Sequence, residues 1–269
     1  MAGKGYAVAN GAGELERLRL QARVWESDAE AMLDRIGVAK GWKCVDLGCG
    51  AMGILGALSR RVGPSGRVIG VDSDARQLEA ARAYVEEEGL DNVELVERDA
   101  YRTGLTRDAF DLVHVRFGFA PGGRDAELLL EMLALAKRGG VLAIEEPDST
   151  AWACFPQRPG WSMLKDAVLA AFKAGGGDFD AGQRTHGLLR SHGIADVHVR
   201  AAVLALPPRH PYLRLPAQFA ASLRARIVDG GILSAPMLDA AIAQCEEAAQ
   251  DPDTFGLSFV LTQVWGRKG

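Results

Sequence analysis

The sequence contains 269 residues, of which 48% are hydrophobic and 25% charged, and its formal net charge is −4. This length is enough for one large α/β domain with an insertion, or for two small domains. The mildly acidic balance gives no electrostatic reason to expect a nucleic-acid or membrane partner.

The first residues and the cysteines set two further expectations. The N-terminal stretch has no apolar core of a secretory signal, and no apolar run approaches the length of a transmembrane helix. The four cysteines form no C-x-x-C pair and match no zinc-site spacing. We therefore expect a cytoplasmic protein with reduced thiols and no metal.

The N-terminal region is predicted to be an arm followed by a helix. Residues 1–12 are small and Gly-rich, and residues 13–36 carry apolar side chains at spacings of three and four, which is typical of one amphipathic helix ending at Gly37. We assign residues 1–37 to an N-terminal arm and cap helix.

From residue 42 the pattern alternates between strand and helix. Five apolar runs predict buried strands: KCVDLG, RVIGVD, VELVERD, FDLVHVRF and VLAIEE. Three helices are predicted between them: MGILGALSRRV, DARQLEAARAYVEEEG and DAELLLEMLALAKRGG. This alternation favours βαβ units, right-handed crossovers and a parallel sheet.

The second half of the chain is less regular. Helices are predicted over 160–175, 180–192, 216–229 and 235–250, and strands over ADVHVRAAVLAL and FGLSFVLTQVWGR. Prolines interrupt the chain after the first of these strands. We expect a core of residues 38–206 and 254–269, with residues 207–253 as a helical insertion and candidate substrate lid.

A glycine-rich turn follows the first predicted strand. VDLGCGAMG places Gly48, Gly50 and Gly53 in a G-x-G-x-x-G pattern, and Asp72 ends the next strand, where a carboxylate can accept from ribose hydroxyls. These features fit NAD and S-adenosylmethionine equally well. Asp46, two residues before the first glycine, would repel a pyrophosphate but suits a sulfonium amino acid. Asp99 ends the third strand, where it can accept from an adenine amino group.

Taken in order, VDLGCGAMG, VIGVDSD, VERDA, FDLVHVRF and RGGVLAIEEPD resemble the class I S-adenosylmethionine-dependent methyltransferases, over roughly residues 13–269. ELERLRLQARVWE is similar to the leading helix of the bacterial small-molecule members. The resemblance implies a Rossmann-like α/β fold with helices on both faces of a seven-stranded sheet. The strand order would be 3-2-1-4-5-7-6, with strand 7 antiparallel.

The resemblance also implies a cofactor site. Its residues are Asp46, Gly48, Cys49, Gly50, Asp72, Ser73, Asp99, Ala100 and Arg116. In this site the glycines give room beside the methionine moiety, and Asp46 orients its ammonium directly or through water. Asp72 holds the ribose beside Ser73, and Asp99 reads the adenine edge with Ala100. Arg116 lies near the methionine carboxylate or is a surface arginine at a strand end.

Methyl transfer requires an aligned nucleophile, and a hydroxyl acceptor benefits from a general base. Many relatives carry a His after the fourth strand, but FAPGGRD places Pro121 there. Glu146, at the carboxyl end of the fifth strand, is the first candidate for a base. His210, in a proline-stiffened loop, is the second. Each has a simpler interpretation as a solvated loop residue.

Aromatic residues near the predicted rim suggest an aromatic or apolar small-molecule acceptor, although core packing is an alternative for each. They are Tyr6, Trp25, Phe117, Phe119, Trp152 and Tyr212. The sequence thus favours methyl transfer from S-adenosyl-L-methionine to an oxygen or nitrogen of a small metabolite, with S-adenosyl-L-homocysteine as product. An NAD-dependent oxidoreductase and a non-catalytic protein of the same fold are the alternatives. A homodimer through the N-terminal helix or the insertion stays open.

Overall fold

The computed structural model describes residues 12–269, and its centre is a seven-stranded sheet of order β3-β2-β1-β4-β5-β10-β7. The first five strands in the chain are parallel, and β10 runs antiparallel to both its neighbours. The strands of this sheet are β1 Lys43–Leu47, β2 Arg67–Asp72, β3 Val93–Glu97, β4 Phe110–Arg116, β5 Ala136–Asp148, β7 Ala195–Ala202 and β10 Val260–Arg267. The predicted strand order and the antiparallel last strand are confirmed.

Helices cover both faces of the sheet and form the later insertion. They are α1 Ala12–Val24, α2 Glu26–Ile36, α3 Leu55–Val62, α4 Ala75–Glu87, α5 Phe119–Gly122, α6 Asp125–Leu135, α7 Pro159–Ala174, α8 Gly182–Ser191, α9 Leu215–Ser222, α10 Arg224–Asp229 and α11 Ala235–Gln250. The central strands read as continuous apolar runs because both of their faces are covered. Because β1, β2 and β4 are parallel, their carboxyl ends meet at one open edge, where α/β sheets bind ligands.

A second, small sheet was not predicted. It has the order β6-β9-β8, from β6 Ala153–Phe155, β8 Ala205–Leu206 and β9 Phe255–Leu257. The chain leaves the main sheet at Ser258, whose backbone N–H donates to the Leu204 carbonyl and whose hydroxyl accepts from the Leu204 N–H. These bonds divide each of the two predicted late strands into two.

Three predicted helices differ in extent. The predicted 13–36 helix is interrupted at Trp25, whose φ of −101° and ψ of 8° are not helical. The predicted 125–139 helix ends at Leu135, because Ala136 is extended and pairs with Phe110 of β4. The predicted 216–229 helix is two helices that meet at Leu223.

The insertion packs onto the core. Its helix α11 lies against α7 and α9, and α9 also contacts α1. The N-terminal helix and the insertion thereby share one wall above the open edge of the sheet. Within residues 12–269, no helix is both long and apolar enough to cross a membrane.

The break at Trp25 is held by a buried hydrogen bond, which yields the first prediction. The indole N–H of Trp25 donates to the Tyr212 hydroxyl at 3.1 Å, and both side chains are buried. Tyr212→Phe leaves that N–H unsatisfied and should lower the free energy of unfolding by about 1–3 kcal/mol in urea titrations. Tyr84→Phe, at a half-buried hydroxyl beside Arg60, is the control and should change it less. Equal stabilities for the two variants would contradict the assignment.

Candidate active site

The glycine turn after β1 leaves its backbone open. Gly48 and Gly50 have φ of +69° and +55°, which side-chain-bearing residues rarely adopt. A Cβ at Gly48 would meet nothing within 4 Å, and one at Gly50 would meet only Gln77 Oε1, at 3.9 Å. The turn therefore presents bare backbone to space that a ligand can fill.

Asp46 lies beneath this turn. A Cβ at Gly53 would stand 2.3 Å from Asp46 Oδ2, so only glycine allows the turn to rest on the carboxylate. Oδ2 accepts from the Ile54 N–H at 3.2 Å, and Oδ1 lies 2.7 Å from His114 Nδ1. Both oxygens are thus engaged by protein groups in a residue that is 1% exposed.

Asp72 connects the end of β2 to the same turn. Its Oδ2 accepts from the Gly50 N–H and its Oδ1 from the Asp74 N–H, each at 2.9 Å. Burial raises the pKa of this carboxyl, and these backbone donors partly oppose that effect. Ser73 beside it is exposed. The carboxylate keeps further lone pairs on its rim side for hydroxyl donors.

The third acid of the series is Asp99, two residues beyond β3. It is exposed and accepts from the Tyr101 N–H at 2.9 Å, while Ala100 is half-buried. Asp46, Asp72 and Asp99 follow one another at the carboxyl ends of adjacent strands, so the structure brings the predicted cofactor residues to one edge.

Two buried polar atoms beside the turn lack a hydrogen-bond partner within residues 12–269. One is Nη1 of Arg116, whose Nη2 donates to the Gly53 carbonyl at 2.9 Å, and the other is Gln77 Oε1. Buried polar groups are rarely left unpaired in folded proteins, so a cationic donor and an amide acceptor here point to a polar ligand. S-adenosylmethionine carries a carboxylate, an ammonium and hydroxyls, and these groups match the donor and acceptor set.

Cys49, within the turn, is not a reactive thiol. Burial, followed by the negative charges of Asp46 and Asp72, raises the pKa of the Cys49 thiol well above its ordinary value. The thiolate is the nucleophilic form of cysteine, so this side chain serves as packing under the turn.

The main residue that the sequence interpretation missed is His114, which lies within β4. The imidazole is fully buried, with Nδ1 at 2.7 Å from Asp46 Oδ1 and Nε2 at 3.0 Å from Glu145 Oε1. Two carboxylate partners require both ring nitrogens to carry protons. Burial opposes this charge, but the two carboxylates prevail and raise the pKa of His114 to about 9. No signal in the sequence indicates this role, because His114 is placed opposite Asp46 only by the β1–β4 register of the structure.

Glu146 fixes the segment after β4 through hydrogen bonds to its backbone. Its Oε1 accepts from the Gly118 and Phe119 N–H groups at 2.7 and 2.9 Å, and its Oε2 from the Ala120 N–H at 2.9 Å. The side chain is fully buried. Burial raises its pKa to about 7, although the three backbone N–H donors act to lower it. These contacts fasten the segment after β4, and they engage the oxygens that a general base would use.

His210, like Glu146, accepts a hydrogen bond from nearby backbone. Its Nδ1 accepts from the Tyr212 N–H at 3.2 Å and caps the short 3-10 helix Pro211–Arg214. Burial lowers the pKa of the imidazole. The cap occupies the nitrogen that would otherwise act as a base.

A cavity with aromatic walls is lined in part by Phe117, which follows Arg116 in the chain. It is lined by Arg17, Gln21, Phe117, Ala120, Pro121, Pro147, Phe172, Phe179, Phe219 and Phe259. Of the aromatics named from sequence, Phe117 is in this lining. Trp25, Phe119, Trp152 and Tyr212 are buried in the aromatic core, and Tyr6 lies outside the described residues.

The polar part of the cavity comes from α1. Arg17 pairs with Glu14 through two hydrogen bonds of 2.6 and 2.9 Å and donates to Gln21 at 2.8 Å. Its guanidinium lies 4.3 Å from the centre of the Phe219 ring. Because Glu14 balances Arg17, this end of the cavity is polar but carries no net charge.

Comparison with known proteins gives a family and a fold. A family model described as a methyltransferase domain matches residues 39–173, half of the chain. The demethylmenaquinone methyltransferase of Anoxybacillus flavithermus is 34% identical over 127 residues, which are 47% of this chain and 52% of that protein. The chain therefore spans about half the length of the curated relatives it matches.

Solved structures share the fold at low sequence identity. A SAM-dependent methyltransferase from Aquifex aeolicus aligns with a TM-score of 0.53 and 20% identity, over 74% of this chain and 93% of that chain. A putative sarcosine dimethylglycine methyltransferase from Galdieria sulphuraria aligns with a TM-score of 0.55 and 15% identity, over 98% and 93%. These likenesses support the architecture independently of the sequence motifs.

Glu146→Gln separates the two interpretations of that residue. An amide has one acceptor oxygen, so at least one of the three backbone donors loses its partner, and the free energy of unfolding should fall by about 1–3 kcal/mol in urea titrations. Glu97→Gln, at an exposed position ending β3, should change it little. Unchanged stability with abolished turnover would instead identify Glu146 as the base.

Proposed function

We propose that this chain, which belongs to the methyltransferase-domain family, transfers a methyl group from S-adenosylmethionine. The acceptor is a hydroxyl oxygen on a small, uncharged aromatic metabolite. The observation that carries the proposal is the glycine turn with open backbone at Gly48 and Gly50, bordered by Asp72. A ligand with ribose hydroxyls and a charged amino-acid end matches this edge of the sheet.

Different side chains would bind different parts of the cofactor. Asp72 would accept from the ribose hydroxyls and Asp99 from the adenine amino group, with Ser73 and Ala100 beside the ring. Nη1 of Arg116, a buried donor without a partner in the described chain, would bind the methionine carboxylate. Asp46 acts from below: it fixes the turn on which the methionine moiety lies and adds negative charge on the ammonium side.

Catalysis in this proposal depends on alignment and exclusion of water. The sulfonium supplies an activated methyl group, so the protein must place the acceptor in line with it. Glu146 holds the backbone of Gly118 to Ala120, directly after Phe117, and would thereby fix the part of the cavity wall that Phe117 and Ala120 form. No side chain of the cavity lining is an obvious base, which suits an acceptor oxygen that ionises readily.

The cavity supports an aromatic acceptor. Its volume is about 30 Å³, so a planar acceptor would enter only as the walls move apart, and the five phenylalanine rings of the lining would then contact its faces and edges. Arg17 and Gln21 can hydrogen-bond a ring oxygen, and the Arg17–Glu14 pair offers no excess charge for an anion. The curated relatives named as demethylmenaquinone methyltransferases are consistent with an aromatic ring as acceptor.

Cofactor binding tests the first half of the proposal. Isothermal titration calorimetry with S-adenosylhomocysteine should give a saturable heat, and Asp72→Ala should weaken the affinity at least tenfold through loss of hydrogen bonds to a charged acceptor. Asp91→Ala, at an exposed position before β3, is the matched control and should bind normally. Binding of NADH in place of S-adenosylhomocysteine would support the oxidoreductase alternative.

Acceptor choice tests the second half. With radiolabelled S-adenosylmethionine, 1-naphthol should be methylated faster than 1-naphthoate or 1-naphthylamine, and mass spectrometry should locate the methyl group on oxygen. Phe117→Ala should raise KM for 1-naphthol several-fold by removing a cavity wall, with the affinity for S-adenosylhomocysteine kept within about twofold. Phe255→Ala, an exposed ring outside the cavity lining, should leave both constants unchanged. Preference for the naphthoate would refute the neutral-acceptor assignment.

A further inference from the structure

A row of buried polar side chains crosses the sheet from the glycine turn to the opposite edge. Asp46 of β1 contacts His114 of β4, and His114 contacts Glu145 of β5. Gln263 of β10 then donates from Nε2 to Glu145 Oε2 at 2.7 Å and to the Asp28 carbonyl of α2 at 3.0 Å. Four adjacent strands therefore contribute one side chain each to a continuous line.

The far end of the row is closed by an ion pair. Arg200 of β7 donates to Gln263 Oε1 and to Asp28 Oδ1, each at 2.6 Å. The charges along the row alternate in sign, from Asp46 through His114 and Glu145 to Arg200 and Asp28. Buried charges at such spacing stabilise the fold only when each is paired, so the row is coupled along its length.

We propose that His114 is a positioning residue for the cofactor: its doubly hydrogen-bonded imidazolium holds Asp46 under the glycine turn and ties that turn, through Glu145 and Gln263, to helix α2. The steric evidence is the 2.3 Å that separates Asp46 Oδ2 from a Cβ placed at Gly53. A carboxylate that shifts by a fraction of this distance moves the turn or loses the Ile54 N–H. The inference rests on the proposed function, because it assigns this row to a cofactor site.

The charged groups around His114 define the expected pH dependence. Asp46 faces it from β1 and Glu145 from β5, Arg116 of its own strand acts on Glu145, and Arg200 and Asp28 follow beyond Gln263. The two adjacent carboxylates keep the imidazole protonated at neutral pH, and its pKa is about 9. Since the folded-state pKa is raised, the stability that the charged imidazole contributes is fully present below about pH 6.5 and is lost as pH rises through about 9.

The main test uses His114→Gln, which removes the positive charge and one of the two donors. S-adenosylhomocysteine should bind at least about tenfold more weakly than to the wild type at pH 7.5, by calorimetry. His198→Gln is the matched control, because His198 is exposed on β7 and stacks on Trp265 outside the row. It should bind normally.

The pH profile distinguishes positioning from general loss of structure. 5′-Methylthioadenosine is the probe, because it has no amino group that titrates near pH 9. Its affinity for the wild-type protein should fall as pH rises through about 9, and the profile of His114→Gln should be flat. Gln263→Met removes the donor to Glu145, together with the contacts to the Asp28 carbonyl and to Arg200, and should give a smaller loss with a shifted inflection.

The outcomes are separable. A folded His114→Gln variant that binds within twofold of the wild type and keeps the inflection overturns the inference and leaves the proposed function intact. If that variant does not fold, the wild-type profile and Gln263→Met decide: a flat wild-type profile overturns the inference, and an inflection that Gln263→Met shifts supports it. Failure of the wild type to bind S-adenosylhomocysteine at all overturns the proposed function and the inference together.

Discussion

The interaction on which the rest of the structure depends is the placement of two carboxylates, Asp46 and Glu145, inside a sheet that helices cover on both faces. An unpaired carboxylate there would be strongly unfavourable. The imidazolium of His114 lies between them and satisfies both. Side chains alternate between the two faces of a β-strand, so a one-residue slip of β4 would turn His114 to the opposite face. Both carboxylates would then lose their buried partner. The polar contact therefore specifies the register of the central strands in a way that their valines and leucines do not.

The same principle organises the open edge of the sheet. Acids at the ends of strands accept from backbone N–H groups of the segment that follows or lies beside them: Asp46 from Ile54, Asp72 from Gly50 and Glu146 from Phe119. Each bond fixes the backbone of a loop at this edge. The site is thus rigid through acid–backbone contacts, and its concave surface consists of glycine backbone.

Local pattern was sufficient to predict the strands of the main sheet, their parallel direction and the glycine turn, because hydrophobic periodicity and glycine spacing are properties of short segments. The strand order was implied by the family resemblance. Local pattern was insufficient for the two neighbouring acids near the end of β5. Glu145 and Glu146 are neighbours and look alike in sequence, yet one faces His114 and the other faces the segment after β4. That difference follows from which face of β5 each occupies, and it requires partners about thirty residues away along the chain. The two-residue strand β8 is likewise too short to give a periodic signal.

The two halves of the site also differ in where their residues come from. The glycine turn, Asp72, Asp99 and Arg116 all lie within residues 39–173, the part that matches the family model. The cavity takes Arg17 and Gln21 from before that part, and Phe179, Phe219 and Phe259 from after it. The glycine turn and its acids therefore come from the shared region, whereas half of the residues that line the cavity come from segments outside it. A relative that is similar only over the shared region can use the same methyl donor while its acceptor pocket has a different shape and charge. Under the proposed function, the Arg17–Glu14 pair and the phenylalanine rings of this chain would be the features that select its acceptor.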